Sequence, residues 1–174
     1  SFLTPHYIVL NRVRAKKKVG WIHTDYTRIQ VDVEAELKMW ERLDYIGSIS
    51  EEVGNLFCEV FPSLKRKLVQ IENILNTDFI RSRAKEEAVS LCEEASVVKL
   101  LTIGRFSPPK KMEDIPFLCR RIREKGIDVR WFIIGYGSKE IEEVVRENAE
   151  KEGVAEHVVI LGKKDNPYPY IKAC

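Results

Sequence analysis

The second half of the chain alternates short apolar runs with amphipathic segments. The apolar runs predict strands over residues 97–103, 129–134 and 158–161, and the segments between them predict helices over 113–125 and 138–152. Gly126 and Gly153 follow the two helices, in the position where a glycine commonly ends a helix. This β-α-β-α-β order with short connections predicts a parallel sheet that is covered by helices on both faces.

The first half shows a similar alternation with less regular spacing. Strands are predicted over residues 18–23, 44–49 and 67–71, and helices over 31–43 and from Ser50, as the N-cap, to Pro62. An irregular crossover over 72–77 precedes a helix that Thr77 or Asp78 could cap and that runs to about residue 88.

Both halves therefore predict the α/β class, with a Rossmann-like parallel sheet and helices on both of its faces. We expect two such domains. The charge-rich segment KEEAVSLCEEAS, residues 85–96, is expected to be solvated and is a candidate for the seam between the domains.

Composition and charge narrow the classes of function. The 174 residues are 44% hydrophobic, and 29 basic against 27 acidic residues leave a net charge of only +2, so any anion site must be local. The four cysteines form no CxxC pair, which argues against a zinc site or a disulfide framework and favours a reducing cytosol. No apolar run is long enough to cross a bilayer and no signal-peptide pattern is present, so we expect no export.

Each of the last three predicted strands is followed by a loop that begins with glycine: GRFSPPKK, GYGSKE and GKKDNPYPY. In parallel α/β sheets, ligands bind outside the carboxyl ends of the strands. Gly135 and Gly137 precede a helix whose first N–H groups favour a phosphate or a carboxylate. A plain strand-to-helix turn would explain an isolated G-x-G equally well, so the pair gains weight only from its neighbours.

Three cations are predicted to lie beside this turn. Arg105 follows the neighbouring strand, and Lys110 and Lys111 come a few residues later, on a loop stiffened by two prolines. Arginine binds phosphate oxygens in a bidentate manner and lysine acts as a point charge, so these residues predict a diphosphate site. A solvated basic loop is the alternative, as it is for any isolated pair of lysines.

These segments resemble a known enzyme family. LLTIGRFSPPKK, FIIGYGSKEIEEVV and VVILGKKDNPYPYIKA, together with the earlier WIHTDY and DYIGSISEEV, are similar in order and spacing to retaining, nucleotide-sugar-dependent glycosyltransferases of the GT-B fold, group 1 or family 4. The resemblance covers the chain from about Val19 onward. It implies transfer of a sugar from a nucleotide-diphospho-sugar to an acceptor hydroxyl with retention of configuration, in cell-surface polysaccharide or glycoconjugate synthesis.

The resemblance implies roles for the cations and for the glycines of the three loops. Arg105 and Lys111, with Lys110 as the alternative lysine, would hold the donor diphosphate and stabilise the leaving nucleotide, so that no metal or other cofactor is required. The other implied contacts to the donor come from Gly135 and Gly137 beside it, and from Gly162 and Lys163 in the nucleobase region.

The sequence departs from the family pattern at two of these loops. Met112 replaces a glycine after the lysine, and Tyr136 stands where a small or acidic residue is commoner. His23 in WIHTDY matches a histidine that similar enzymes place beside the reacting sugar, which makes it a candidate catalytic residue, with an ordinary structural histidine as the alternative. Residues 25–28 would then lie near the acceptor, and Asn73 matches an interdomain turn of the family.

Two parts of the family pattern are not found in the chain. They are a glycine-rich acceptor loop, expected before Ser1, and a loop with two glutamates that grips the donor sugar, expected after Cys174. The resemblance therefore implies an internal piece of a longer enzyme: the end of the acceptor-side domain with its crossover over 1–76, and the first half of the donor domain over 77–174. Such a piece is expected to be inactive alone, and the enzyme to work in the cytoplasm, at the inner face of the cell membrane.

Two other classes of function stay open. A strand-GxG-helix unit also fits a dinucleotide-dependent oxidoreductase, although GYGSKE lacks a third glycine and no acidic residue ends the strand over 158–161. The basic segments 12–18 and 120–125 could bind an anionic membrane or a protein in a non-catalytic module, with solvated helix faces as the alternative. The sequence pattern does not specify the donor sugar, the base, the acceptor or the oligomeric state.

Overall fold

The computed structural model describes residues 4–94 and 96–174. The helices are α1 (Thr4–Arg12), α2 (Val33–Trp40), α3 (Glu51–Val60), α4 (Thr77–Arg83), α5 (Ile115–Arg123), α6 (Lys139–Lys151) and α7 (Tyr168–Ala173). The strands are β1 (Val19–Ile22), β2 (Tyr45–Ser48), β3 (Leu68–Gln70), β4 (Val98–Ile103), β5 (Val129–Ile134) and β6 (Val158–Gly162). The chain divides into two compact units, the first ending at Leu75 and the second spanning Asn76–Cys174.

The first unit is built on a parallel sheet in the order β1-β2-β3. Parallel neighbours need a crossover connection, and α2 and α3 supply the two crossovers. α3 begins as predicted, because the Ser50 hydroxyl accepts a hydrogen bond from the Val53 amide at 3.2 Å, and Pro62 follows its end.

Four aromatic rings form the centre of the first core. Tyr26, Trp40, Phe57 and Phe61 meet in edge-on or tilted pairs, with ring centroids 5.0–6.1 Å apart. The indole of Trp40 donates to the carboxylate of Glu36 at 3.4 Å, and burial raises the pKa of that carboxyl. The first unit therefore has a core of its own.

The second unit is a parallel sheet in the order β4-β5-β6, with every residue of β4 paired to one of β5. One face packs against α5 and α6, with Val129 and Ile133 of β5 in the same core as Cys119 and Val145 of the helices. The other face presents Phe132, which lines a cavity of about 500 Å³ with residues 87–91 and with Tyr170 of α7.

The first and last elements of the second unit meet. The side chain of Asn76 caps α4 by accepting from the Phe79 amide at 2.9 Å, and the Phe79 ring lies edge-on to Tyr168 of α7 at 6.4 Å. Asn166 donates from one side-chain nitrogen to the carbonyl oxygen of Arg83 at 2.9 Å and to the carboxylate of Glu86 at 3.2 Å. The segment after β6 is thereby tied to the end of α4.

The types of the predicted elements are confirmed, and the differences lie at their ends. The cap of α4 is Asn76, rather than Thr77 or Asp78, and the helix stops at Arg83. α5 starts at Ile115 because a 3-10 turn over Met112–Asp114 takes the place of its predicted first turn. The short helices α1 and α7 were not predicted.

The proposed seam at the charge-rich segment is wrong. The two units divide after Leu75, and the following residues belong to the second unit. The charge-rich segment is held to the second unit by its side chains. Glu86 binds Arg83 at 2.8 Å and accepts a hydrogen bond from Asn166. Residues 87–91 line a cavity with Phe132 on one face of the sheet.

Candidate functional site

The loops after β4 and β5 are joined by backbone hydrogen bonds that extend the sheet ladder. The amide of Gly104 donates to the carbonyl of Ile134 at 3.0 Å. Two residues further on, the Phe106 amide donates to the carbonyl of Tyr136 at 3.0 Å, and the Ser138 amide donates back to the carbonyl of Phe106 at 3.0 Å. The first two glycine-headed loops therefore run side by side at the carboxyl edge of the sheet.

Close packing between these loops requires glycine at two positions. A Cβ atom on Gly135 would overlap the carbonyl oxygen of Gly104, and one on Gly137 would overlap the carbonyl oxygen of Phe106. Gly137 also has φ of +153°, which side chains rarely allow. The G-x-G pair thus has a structural reason that needs no ligand.

The third glycine-headed loop joins the same edge. The Gly135 amide donates to the carbonyl of Gly162 at 3.1 Å, and Gly162 has φ of +72° as the chain leaves β6. The structure therefore brings together the three loops that the sequence predicted to meet, which carry the candidate diphosphate and nucleobase residues.

The loop after β4 holds its cations on two buried anchors. Phe106 and Met112 are 1% and 2% exposed and both belong to the core of the second unit. Between and beside them, Arg105, Lys110 and Lys111 are exposed. Phe106 and Met112 fix the backbone of the loop at two points. The backbone positions of the three cationic residues are therefore well defined.

Met112 packs against Gly104, and the residue before it has a left-handed backbone. The Met112 methyl group lies so close to Gly104 that a Cβ there would be 2.7 Å from it. Lys111 takes the left-handed conformation, with φ of 50°, which glycine adopts more readily than lysine. The turn is thus made at Lys111, while Met112 fills the core.

The electrostatic surroundings of the three cations differ. The Lys111 ammonium lies 3.7 Å from a carboxylate oxygen of Glu113, whose backbone carbonyl accepts from Asn148 of α6 at 3.1 Å. Within residues 4–94 and 96–174, no carboxylate oxygen lies within 4.0 Å of a side-chain nitrogen of Arg105 or Lys110. Of the three cations, Arg105 and Lys110 are therefore the two whose charge is not offset by a nearby carboxylate in the described part of the chain.

The N-terminus of α6 is partly occupied by the chain itself. The Ser138 hydroxyl accepts from the Ile141 amide at 3.2 Å and donates to the carboxylate of Glu140 at 2.5 Å. The hydrogen bond from Ser138 lowers the pKa of Glu140, so this carboxylate is ionised at neutral pH. The helix N-terminus consequently contributes less to an anion site than the sequence predicts.

Tyr136 and Lys163 connect the second loop to the third. The Lys163 ammonium lies 5.8 Å from the centroid of the Tyr136 ring and 3.2 Å from a carboxylate oxygen of Asp165. Tyr136 is 59% exposed, although its backbone carbonyl is bound by Phe106. The family resemblance assigns Lys163 to the nucleobase region and marks Tyr136 only as a departure from the family pattern, because nothing in the sequence shows that the two residues lie side by side.

His23 lies in the first unit, directly after β1, and its side chain is exposed. The next residues form a 3-10 turn over Tyr26–Arg28, which Asp25 caps by accepting from the Thr27 amide at 2.9 Å. This turn is the segment expected near an acceptor, and the buried ring of Tyr26 fixes it to the aromatic core. Asn73 lies in the exposed connection after β3.

The two basic segments differ in how far they are paired with acids. In the segment 120–125, Arg120 binds Glu152 at 2.7 Å, and Arg121 binds Glu124 at 3.1 Å. In the segment 12–18, Lys17 binds Asp44 at 2.9 Å, and no other cation of that segment is paired with a carboxylate among the described residues. The pairing therefore favours a solvated face over a cationic docking surface for the segment 120–125.

The described residues offer neither a metal cluster nor a membrane-crossing helix. No group of three or more histidine, cysteine, aspartate or glutamate side chains in the described part of the chain is placed to hold a metal ion. Over the same residues, no helix is both long and apolar enough to span a bilayer.

No protein-family model and no curated protein matches the sequence. Solved structures do match. The Anabaena protein HepE in complex with UDP matches with a TM-score of 0.74 at 13% identity, over 99% of this chain and 48% of its own. A variant of Staphylococcus aureus TarM, in complex with Fondaparinux, alpha-GlcNAc-glycerol and UDP, matches with a TM-score of 0.65 at 14% identity, over 97% of this chain and 33% of its own.

A third match is the Escherichia coli trehalose-6-phosphate synthase with bound UDP-2-fluoro glucose, with a TM-score of 0.68 at 10% identity, over 98% of this chain and 54% of its own. The fold is that of GT-B glycosyltransferases. The chain spans about a third to a half of the length of the structures it matches. The expected Rossmann-like α/β fold is thereby confirmed.

Proposed function

We propose that the chain is the central part of a glycosyltransferase that moves a sugar from a nucleotide-diphospho-sugar to an acceptor hydroxyl with retention of configuration. One observation carries the proposal: Arg105, Lys110 and Lys111 lie exposed on an anchored loop at the carboxyl edge of a parallel sheet, hydrogen-bonded to a glycine turn. Ligands of α/β sheets bind at this edge.

The matched structures support the nature of the ligand. HepE and TarM were solved with UDP, and the E. coli protein with UDP-2-fluoro glucose. A diphosphate also suits the cations of this chain, because guanidinium and ammonium groups form strong charge-assisted hydrogen bonds with phosphate oxygens.

In the proposed reaction, Arg105 and Lys111 bind the donor diphosphate, with Lys110 able to replace Lys111. As the bond between the sugar and the phosphate breaks, negative charge grows on the departing nucleotide, and the same cations stabilise it, so that the reaction requires no metal. Gly162 and Lys163 are the proposed contacts to the nucleobase, and His23 is the proposed catalytic residue of the first unit.

The wider setting of the enzyme is part of the proposal. We place it in the cytoplasm, at the inner face of the cell membrane, in the synthesis of cell-surface polysaccharide or glycoconjugate with a saccharide or lipid-linked acceptor. The chain alone is expected to bind the nucleotide without catalysing transfer, since it spans only part of the matched enzymes.

The decisive experiment is isothermal titration of this chain with UDP and GDP, compared with the double variant R105A/K111A. Charge-assisted hydrogen bonds contribute about 1.5–3 kcal/mol each, so loss of both side chains is expected to weaken binding tenfold or far more. Because both residues are exposed, the double variant should melt as the unsubstituted chain does.

The matched control is R121A/K125A, which removes the same two charges from the C-terminal end of the second unit's helix α5 and the turn after it. That end lies toward the opposite edge of the sheet, because a crossover helix runs back against its strands. We expect the control to bind both nucleotides normally. If R105A/K111A binds as tightly as the control, these two residues do not form the diphosphate site.

A further inference from the structure

Tyr136 has an unusual combination of a fixed backbone and an exposed ring. Its carbonyl oxygen accepts from the Phe106 amide at 3.0 Å, and the glycines on both sides of it are held against the loop after β4. More than half of the residue is nevertheless exposed, at 59%. An aromatic side chain held in this way presents its surface to a ligand without the cost of ordering a flexible loop.

The neighbours of the ring add charge on one side. The Lys163 ammonium lies 5.8 Å from the ring centroid and 3.2 Å from the carboxylate of Asp165. These side chains come from the loop after β6, so the ring of Tyr136 and the amino group of Lys163 form a surface that crosses two adjacent strand ends. We call Tyr136 and Lys163 the aromatic platform.

The aromatic platform extends from Tyr136, in the loop beside the cations, to Lys163, one strand farther away. Parallel neighbours lie roughly 4.8 Å apart, so the loop after β6 begins about 10 Å from the loop after β4 that carries Arg105. A nucleoside diphosphate carries its base on C1′ of the ribose and its pyrophosphate on C5′, so the two groups are separated by the sugar. A ligand that places its phosphates on Arg105 and runs along the carboxyl edge of the sheet toward β6 brings its base to Tyr136 and Lys163.

We infer that Tyr136 binds the nucleobase of the donor by stacking, with Lys163 lining the same subsite. The inference rests on the proposed function, and it names the residue that makes the site prefer a nucleotide over bare pyrophosphate. Every nucleobase has a π face, so stacking on tyrosine adds affinity for uracil and guanine alike. Tyr136 thus contributes affinity for the base as a class and little choice between bases.

The test compares Y136L and Y136F with the unsubstituted chain, by titration with UDP, GDP and inorganic pyrophosphate. Stacking of one base on an aromatic side chain corresponds to an affinity ratio of about 5- to 150-fold, so Y136L should weaken both nucleotides by about fivefold or more. Y136F keeps the ring and should bind them within about threefold of the unsubstituted chain. Neither variant should change the affinity for pyrophosphate.

The outcomes separate this inference from the proposed function. If UDP and GDP bind to the unsubstituted chain, depend on Arg105 and Lys111, and bind equally well to Y136L, the stacking role is refuted and the proposed function stands. An equal loss of pyrophosphate affinity in Y136L would also refute stacking, because it would mean that the diphosphate loop itself was disturbed. If the unsubstituted chain binds none of the three ligands, both proposals fail.

A UDP-sugar supplies one more comparison. If Y136L weakens a UDP-sugar while leaving UDP unchanged, the ring contacts the sugar rather than the base and the inference is overturned. K163M is expected to weaken UDP less than Y136L does, because the lysine lines the subsite without stacking on the base.

Discussion

Replacing Gly135 by alanine tests the packing that brings the three loops together. The new Cβ would overlap the carbonyl oxygen of Gly104, which belongs to the backbone and has no side-chain freedom with which to move away. The loops after β4 and β5 would have to separate. Two hydrogen bonds are at risk, the one from Gly104 to Ile134 and the one from Gly135 to Gly162.

The expected loss of stability follows from these contacts. Overpacking a well-filled site costs about 1–3 kcal/mol. Each hydrogen bond that is lost costs about 0.5–1.5 kcal/mol more. We therefore expect G135A to lower the free energy of unfolding of the second unit by about 2–6 kcal/mol. For a unit of roughly 100 residues, each kcal/mol lowers Tm by about 4–8 °C.

The matched control is G153A, at the turn that follows α6. Gly153 has φ of +67° with nothing near its added Cβ, so alanine there meets only the left-handed conformation, at a cost of about 1–2 kcal/mol. Thermal melting followed by circular dichroism ranks the two variants. Hydrogen–deuterium exchange resolved by peptide should show faster exchange in β4–β6 of G135A and no change in β1–β3. The packing argument is refuted if G135A melts at or above the temperature of G153A.

Two further predictions concern the first unit. The imidazole of His6 lies 4.8 Å from the Trp40 ring, measured between centroids, and burial lowers the pKa of His6 below its ordinary 6.5. At a pH below 6.5, the histidine therefore binds a proton more readily in the unfolded chain than in the folded one. The free energy of unfolding should thus fall as the pH drops from 7.5 to 5.5, and urea unfolding of H6F should lose this dependence; an unaltered slope in H6F would contradict the assignment. Phe57 is fully buried among three other aromatic rings, so F57A should cost about 3–5 kcal/mol and raise exchange in β1–β3 alone; protection lost equally in both units would contradict the independence of the two cores.

Much of the fold could be predicted from the sequence, because the chain obeys local rules over most of its length. Ser50 and Ser138 cap helices at the positions that their side chains favour, and Gly126 and Gly153 end helices in the left-handed conformation. The strand β5 has the predicted bounds, since its apolar run is continuous and uninterrupted by glycine or proline.

The elements that were missed depend on contacts between distant residues. α7 contains one proline, Pro169, and is preceded by another, Pro167, after a polar loop, so its pattern resembles a longer loop. The contact of Tyr168 with Phe79 supports the helix in the structure. The change of cap from Thr77 to Asn76 is a shift of one residue among three polar side chains, any of which can cap a helix. The local sequence pattern does not show which of three adjacent capping residues is the N-cap.

The candidate site was predicted in its location and only partly in its detail. Glycine at the strand exits and cations nearby indicate the carboxyl edge, and the three loops do meet there. Gly135 and Gly137 also have a packing reason, since the neighbouring backbone excludes side chains at both positions, and that reason depends on contacts that the sequence does not show. Tyr136 beside Lys163 depends on the register of β5 and β6, which shifts between Ile133 and Ile134, and no local pattern encodes that shift.

The hydrogen bonds of Asn166 have a consequence for how the second unit is made during synthesis. They reach back 83 positions to Arg83 and 80 positions to Glu86, so the contacts at the end of α4 form only after nearly the whole unit has left the ribosome. Contacts between such distant residues slow folding. On a translating ribosome, α4 should therefore stay open to proteases until Asn166 has emerged, whereas the first unit can already be folded by then.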